Sequence, residues 1–179
     1  MIRSMRVVGL AALLTALPAA LSAQSTRPIS FGVSGGLSVP TGDLGDAVDA
    51  GYSVAGHVYF KPSGSSMLGF RGDVSFDRWA VKGNSDVSTR NLAVVANALL
   101  DIGAGSSSAI APYVLGGVGL FNGKSSVNGS ESSSEVGVQA GGGLRFKLSG
   151  FSTFVEAKYV NVFSDPSTGY IPITFGVRF

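Results

Sequence analysis

The sequence predicts an all-β fold, an eight-stranded antiparallel up-and-down transmembrane β-barrel. Three observations carry that expectation. Eight segments of strand length alternate with period two; only 13% of residues are charged while mean hydropathy is positive; and no stretch beyond residue 23 holds 18 consecutive apolar residues. Period two puts successive side chains on opposite faces of a strand, so each segment meets an apolar phase on one side only. A soluble domain of this size would show about twice that charge density on its surface. Lipid offers backbone groups no water, so it admits only helices and closed barrels, and without a spanning helix the barrel remains.

The N-terminus reads as an export signal. Arg3 and Arg6 precede the apolar run from Val7 to Leu17, Pro18 breaks it, and Ala19-Ala20-Leu21-Ser22-Ala23 supplies small residues for cleavage. This predicts a secretory signal peptide over residues 1–23, too short to span, cut after Ala23 or alternatively after Ser22. The barrel domain is then 24–179. Losing Arg3 and Arg6 takes the 13 Lys+Arg to 11 against 11 Asp+Glu, so the mature chain is formally neutral. The basic pI therefore gives no ground for a nucleic-acid partner. The absence of cysteine excludes a disulfide framework, a thiolate metal site and lipid attachment through Cys.

Each segment sets an apolar row against a polar or small one. In the first, Ile29, Phe31, Val33, Leu37 and Val39 oppose Ser30, Gly32, Ser34, Gly36 and Ser38. In the second, Tyr52, Val54, Val58 and Phe60 oppose Ser53, Ala55, His57, Tyr59 and Lys61. The third sets Leu68, Phe70, Val74 and Phe76 against Arg71, Asp73, Ser75 and Asp77. The fourth sets Leu92, Val94, Ala96, Ala98, Leu100 and Ile102 against Asn91, Asn97 and Asp101. The fifth, Ile110 to Phe121, is apolar on both faces; Val114, Val118 and Leu120 are set outward, and Tyr113, Gly117 and Gly119 inward. The sixth opposes Val136, Val138, Ala140, Leu144 and Phe146 to Glu135, Gln139, Arg145 and Lys147. The seventh opposes Val155, Ala157 and Tyr159 to Glu156 and Lys158. The eighth, Gly169 to Phe179, places Ile171, Ile173, Phe175, Val177 and Phe179 on one face, and Tyr170, Pro172, Thr174, Gly176 and Arg178 on the other.

The connections alternate in length. Those after the first, third, fifth and seventh segments are Pro40–Gly51, Arg78–Thr89, Asn122–Ser134 and Ser164–Thr168; the others are Pro62–Ser66, Gly103–Ala109 and Leu148–Gly150. Long loops on one rim and short turns on the other are the outer-membrane arrangement, with long loops extracellular and both termini periplasmic. The third long loop is mostly Ser, Gly and Asn and reads as mobile.

Charge decides which face meets lipid. A soluble barrel would carry the opposite polarity, but no clear charge falls on the apolar face, where one at mid-bilayer costs about 2–4 kcal/mol. The opposite face is rich in Gly and Ser, as a cramped lumen requires, and eight strands leave an interior that side chains fill. That lumen is expected to hold six basic groups (Lys61, Arg71, Arg145, Lys147, Lys158, Arg178) and four acidic ones (Asp73, Asp77, Asp101, Glu156) in a salt-bridge network. Glu156 is expected to pair with Arg145 or Arg178 from the flanking strands.

Leu37-Ser-Val-Pro-Thr-Gly-Asp43, Gly51-Tyr-Ser-Val-Ala-Gly56, Pro112-Tyr-Val-Leu-Gly-Gly-Val-Gly119, Phe154-Val-Glu-Ala-Lys-Tyr159 and Ile171-Pro-Ile-Thr-Phe-Gly-Val-Arg-Phe179 occur in this order. Together, over residues 28 to 179, they resemble the small outer-membrane β-barrel family of the OmpA/OmpX type. The resemblance implies insertion by the barrel assembly machinery, which reads a last strand ending in an aromatic residue. Phe179 fits that signal, and Phe175 and Ile171 continue its row. The expected partners are that machinery, outer-membrane lipid and lipopolysaccharide, with the protein a monomer. The family implies no single activity.

Candidate chemistry is sparse. Some eight-stranded barrels are lipid A-modifying enzymes that use a His with a Ser and a carboxylate. His57 is the only histidine; it is placed deep in the lumen, with no matching Ser and acid identified. Asp43, Asp46 and Asp49 lack the alternating ligands of a calcium loop and read as a solvated acidic loop. Asn128-Gly-Ser130 is a chance glycosylation triplet. No catalytic residue, cofactor or metal is expected. A structural or surface-interaction barrel is the leading expectation, a narrow porin for ions or small solutes the second, and a lipid A-directed enzyme the third.

Overall fold

The architecture follows from one requirement, that every strand edge be paired. The computed structural model describes residues 28–62, 67–102, 109–125, 131–165 and 167–179. The predicted cleavage after Ala23 and the triplet at Asn128 lie outside them. Eight strands run β1 (Ile29–Thr41), β2 (Gly51–Phe60), β3 (Leu68–Val81), β4 (Asn84–Asp101), β5 (Ile110–Ser125), β6 (Glu131–Lys147), β7 (Ser152–Val162) and β8 (Thr168–Arg178). One short helix, α1 (Gly42–Ala47), follows β1. Each strand pairs antiparallel with the next, and β8 returns to β1 from Gly32↔Arg178 to Thr41↔Gly169, closing the barrel. Phe31 and Phe179 exchange both backbone hydrogen bonds at 2.9 Å, extending the β1–β8 seam past Arg178.

The faces fall as expected in every strand, including β5, where Val114, Val118 and Leu120 are exposed and Tyr113 is buried. Exposed large apolar residues, among them Phe31, Phe70, Val94, Val118 and Phe175, point out, as a lipid-facing surface requires. The buried strand residues, among them Arg71, His57 and Phe154, point in.

Two expected loops are instead strand. The segment Arg78–Thr89 continues β3 to Val81 and β4 from Asn84, joined by a tight turn with Gly83 at φ 79°. Likewise Asn122–Ser134 is mostly ladder, with pairing from Asn122↔Ser134 to Ser125↔Glu131. The physical reason is that these hairpins rise past the apolar band, where the outward row turns polar (Arg78, Ser88 and Arg90; Asn122, Lys124 and Ser134) and the apolar-out alternation that marks a membrane strand disappears. These hairpins define the distal rim of the barrel, and Pro28 and Phe179 stand at the proximal rim.

The β1–β2 connection folds back over the distal mouth. Val48 bridges Val81, Asp49 N–H donates to Ala80 O at 2.9 Å, and Lys82 N–H donates to Ala47 O at 3.0 Å. This anchors α1 and turns Leu44 and Val48 towards the lumen's apolar cluster.

Glycine on the inward face makes room for lumenal rings. A Cβ on Gly176 would overlap the Phe154 ring, and one on Gly137 would come within 2.7 Å of the Phe121 ring. At Gly137, Gly143 and Gly176 the inward glycine is thus the complement of an inward aromatic on a neighbouring strand.

Candidate functional site in the lumen

The lumen is stacked in three tiers. At its centre Arg71, 1% exposed, meets Glu156 in a bidentate pair, Nη1 to Oε2 at 2.6 Å and Nη2 to Oε1 at 2.9 Å. Arg71 Nη2 also donates to Asp73 Oδ2 at 2.9 Å, and its Nε lies 2.8 Å from Asp73 Oδ1 as an ion pair out of line for a hydrogen bond. Lys158 Nζ sits 3.7 Å from both carboxylates, so two cations face two anions. Neutral groups complete the shell. Tyr113 OH donates to Glu156 Oε2 at 2.7 Å, Asn97 Nδ2 to Asp73 Oδ2 at 3.1 Å, and Gln139 Nε2 to Asn97 Oδ1 at 2.6 Å. A buried charge is tolerable only when paired and hydrogen-bonded, and this one is held on every side.

Towards the proximal rim Arg145 Nη2 bonds both oxygens of Asp101, at 2.8 and 2.6 Å. Arg178 lies 4.2 Å over the Tyr59 ring and donates through Nε to Ser30 Oγ at 2.8 Å. Beside these, Tyr59, Leu99, Tyr113, Leu115 and Phe154 form an apolar layer. The distal tier is apolar as well: Val48, Trp79, Val95, Phe121, Val160, Val162 and Tyr170 pack together, with Leu44 and Val81 above. Trp79 meets Tyr170 edge-on at 5.0 Å and donates through Nε1 to Ser38 O at 3.2 Å.

The structure pairs these lumenal groups differently from the expectation. Glu156 pairs with Arg71 across the barrel, not with Arg145 or Arg178 beside it; those two turn to Asp101 and to Ser30 and Tyr59. Of the expected members, Arg71, Asp73, Glu156 and Lys158 meet at the centre. Asp77 is buried but accepts from Tyr170 OH at 3.4 Å, with no ion-pair partner among the described residues. Lys147 ends β6 and is exposed. Along β8, Ile171 is half-buried, Phe175 exposed and Phe179 half-buried, all on the outward row.

His57 has the neighbours that sequence reading did not find. Its Nδ1 lies 2.8 Å from Asp73 Oδ1 and its Nε2 2.8 Å from Ser34 Oγ, a Ser–His–Asp chain of hydrogen bonds. The residues come from β1, β2 and β3, whose pairing Gly32↔His57↔Asp73 was invisible without the register. Such a chain can polarise a serine, but acyl transfer also needs donors for the oxyanion and a path for substrate. Here His57 is 3% and Asp73 2% exposed, and Asp73 is already committed to Arg71, Asn97 and Lys158. Among the described residues no group of three potential ligands is placed to hold a metal, and Asp43 and Asp46 lie on α1.

Comparison with solved structures returns barrels of the same shape. Neisserial surface protein A aligns with TM-score 0.69 at 14% identity, covering 87% of this chain and 98% of that one. OprG from Pseudomonas aeruginosa aligns with TM-score 0.54 at 14% identity, covering 87% and 98%. Ail, the attachment invasion locus protein of Yersinia pestis, aligns with TM-score 0.51 at 21% identity, covering 84% and 97%. At these identities the likeness speaks for fold alone. No curated protein matches. The sequence itself matches the outer membrane protein beta-barrel domain over residues 9–179, and with a closed eight-stranded barrel beneath that match, the chain belongs to the outer membrane protein beta-barrel domain family.

Proposed function

We propose that this protein is a closed-lumen outer-membrane barrel that acts through its surface hairpins and performs neither catalysis nor transport through its interior. One observation carries the reading: the ionic centre is shut in between two apolar tiers, with Trp79, Phe121 and Tyr170 on the distal side and Tyr59, Leu99 and Phe154 on the proximal side. An aqueous path would need polar groups along a continuous wall, as in wide barrels. The Ser34–His57–Asp73 chain is enclosed by the same packing and serves as structural hydrogen bonding. In this reading the distal hairpins face outward, both termini are periplasmic, and the row Ile171, Phe175 and Phe179 is the handle used in assembly.

Single-channel recording in planar bilayers tests the closed lumen. No steady conductance step is expected; a stable, reproducible open state would instead establish a pore. A fluorophosphonate probe tests the triad: Ser34 should stay unlabelled in the folded barrel, and labelling lost in Ser34→Ala would establish a reactive serine.

A further inference from the structure

The lipid-facing surface of the strands carries little charge, and the exceptions fall on one line. Among the described residues, the charged side chains on the outward face are Arg78, Arg90 and Lys124. Arg78 continues the outward row of Val74 and Phe76 on β3, Arg90 that of Val94 and Leu92 on β4, and Lys124 that of Val118 and Leu120 on β5. The register makes Arg78 the direct partner of Arg90, and Arg90 the direct partner of Lys124. Adjacent strands lie about 4.8 Å apart, so the three Cα atoms fall within about 10 Å on consecutive strands.

Such a row is unfavourable by itself. Like charges directly opposite one another destabilise a strand pair, and here two such pairs occur in succession. Arg78 and Arg90 are exposed, Lys124 is half-buried, and among the described residues none of the three pairs with a carboxylate. An anion lying over the row would relieve that repulsion.

Height identifies where that anion comes from. From Leu68 to Arg78 on β3, and from Leu100 to Arg90 on β4, the chain advances about ten residues, about 33 Å along the strand. With strands tilted by about 40°, this rises about 25 Å, the height of the apolar band of a membrane barrel. One step below the row, Phe76 and Leu92 still face outward. Tyr52, the direct partner of Arg78, packs its ring 6.2 Å from that of Phe76, as expected of an interfacial aromatic girdle. The row thus stands where hydrocarbon ends and lipid head groups begin. Guanidinium forks match phosphate oxygens two at a time, and the ammonium adds a point charge.

We propose that Arg78, Arg90 and Lys124 form a cradle on the barrel's outer wall for the phosphorylated head group of lipopolysaccharide. The choice of this lipid over a phospholipid rests on the proposed orientation, which puts the distal rim in the outer leaflet; the cradle itself does not depend on it.

The test titrates bisphosphorylated lipid A into the refolded full chain in phosphocholine nanodiscs and measures bound lipid by native mass spectrometry. The triple variant Arg78→Gln, Arg90→Gln, Lys124→Gln should bind at least about tenfold more weakly, while Arg78→Lys keeps most of the affinity. Lipid A stripped of phosphate should lose the same advantage on the unaltered protein, a comparison that needs no variant to fold. Equal binding of the two lipid forms, or by the two proteins, overturns the proposal. So does millimolar inorganic phosphate displacing the lipid, which would make the row a site for free anions. Failure here leaves the closed lumen untouched, because conductance reads that separately.

Discussion

Arg71 and Glu156 stand 85 positions apart in the chain, yet they meet across the lumen as a bidentate pair at 2.6 and 2.9 Å. The pair spans the barrel from β3 to β7 and pins together strands that share no ladder. Removing one partner strands a buried charge, so Arg71→Met should cost about 3–5 kcal/mol. Glu156→Ala should likewise lower heat resistance. Joint replacement, Arg71→Met with Glu156→Ala, should cost less than the two single changes summed. Urea unfolding of the barrel in lipid, or its mobility shift on heated gels, measures each step. Additive losses would mean that the two residues do not act together.

Phe154 and Gly176 are direct register partners, and the ring lies over the glycine. Gly176→Ala forces the ring and the Val33 carbonyl to move, which should destabilise the barrel by about 1–3 kcal/mol. Phe154→Leu in the same chain should recover part of that loss, read from the same unfolding midpoint. No recovery would place the strain in the backbone alone.

At the seam, the backbone of Phe179 pairs with Phe31 whatever side chain it carries, so a folding role and an assembly role can be separated. Phe179→Ser should refold in detergent almost as the unaltered chain does but reach the outer membrane of cells at reduced level. Unimpaired insertion in cells would remove the assembly role.

Much of the fold was legible because each strand's inward and outward rows differ in polarity wherever it crosses the apolar band. Leu92 against Asn91, or Val155 against Glu156, states a face without any neighbour. Legibility ends where that contrast ends: Arg78 falls in the expected loop because above the band the outward row turns polar, while Trp79 and Val81 keep the inward row apolar. For the same reason the cationic row went unseen, since no sequence spacing aligns residues 78, 90 and 124. Inside the lumen the sequence identifies the residue types but not their partners. Flanking strands are neighbours in sequence order, whereas the Arg71–Glu156 pair depends on closure and tilt, which bring opposite walls together. The Ser34–His57 contact depends on the β1–β2 register and was hidden similarly.

In the proposed closed lumen water has no free passage, and the cysteine-free chain makes that directly measurable. Thr174 is 5% exposed, points inward and is the register partner of Glu156. In a Thr174→Cys variant folded in lipid, a charged methanethiosulfonate reagent should leave the thiol unmodified until the barrel is unfolded, while Asp49→Cys in the exposed distal connection reacts at once. Prompt modification of Thr174→Cys in the folded barrel would contradict the closed lumen.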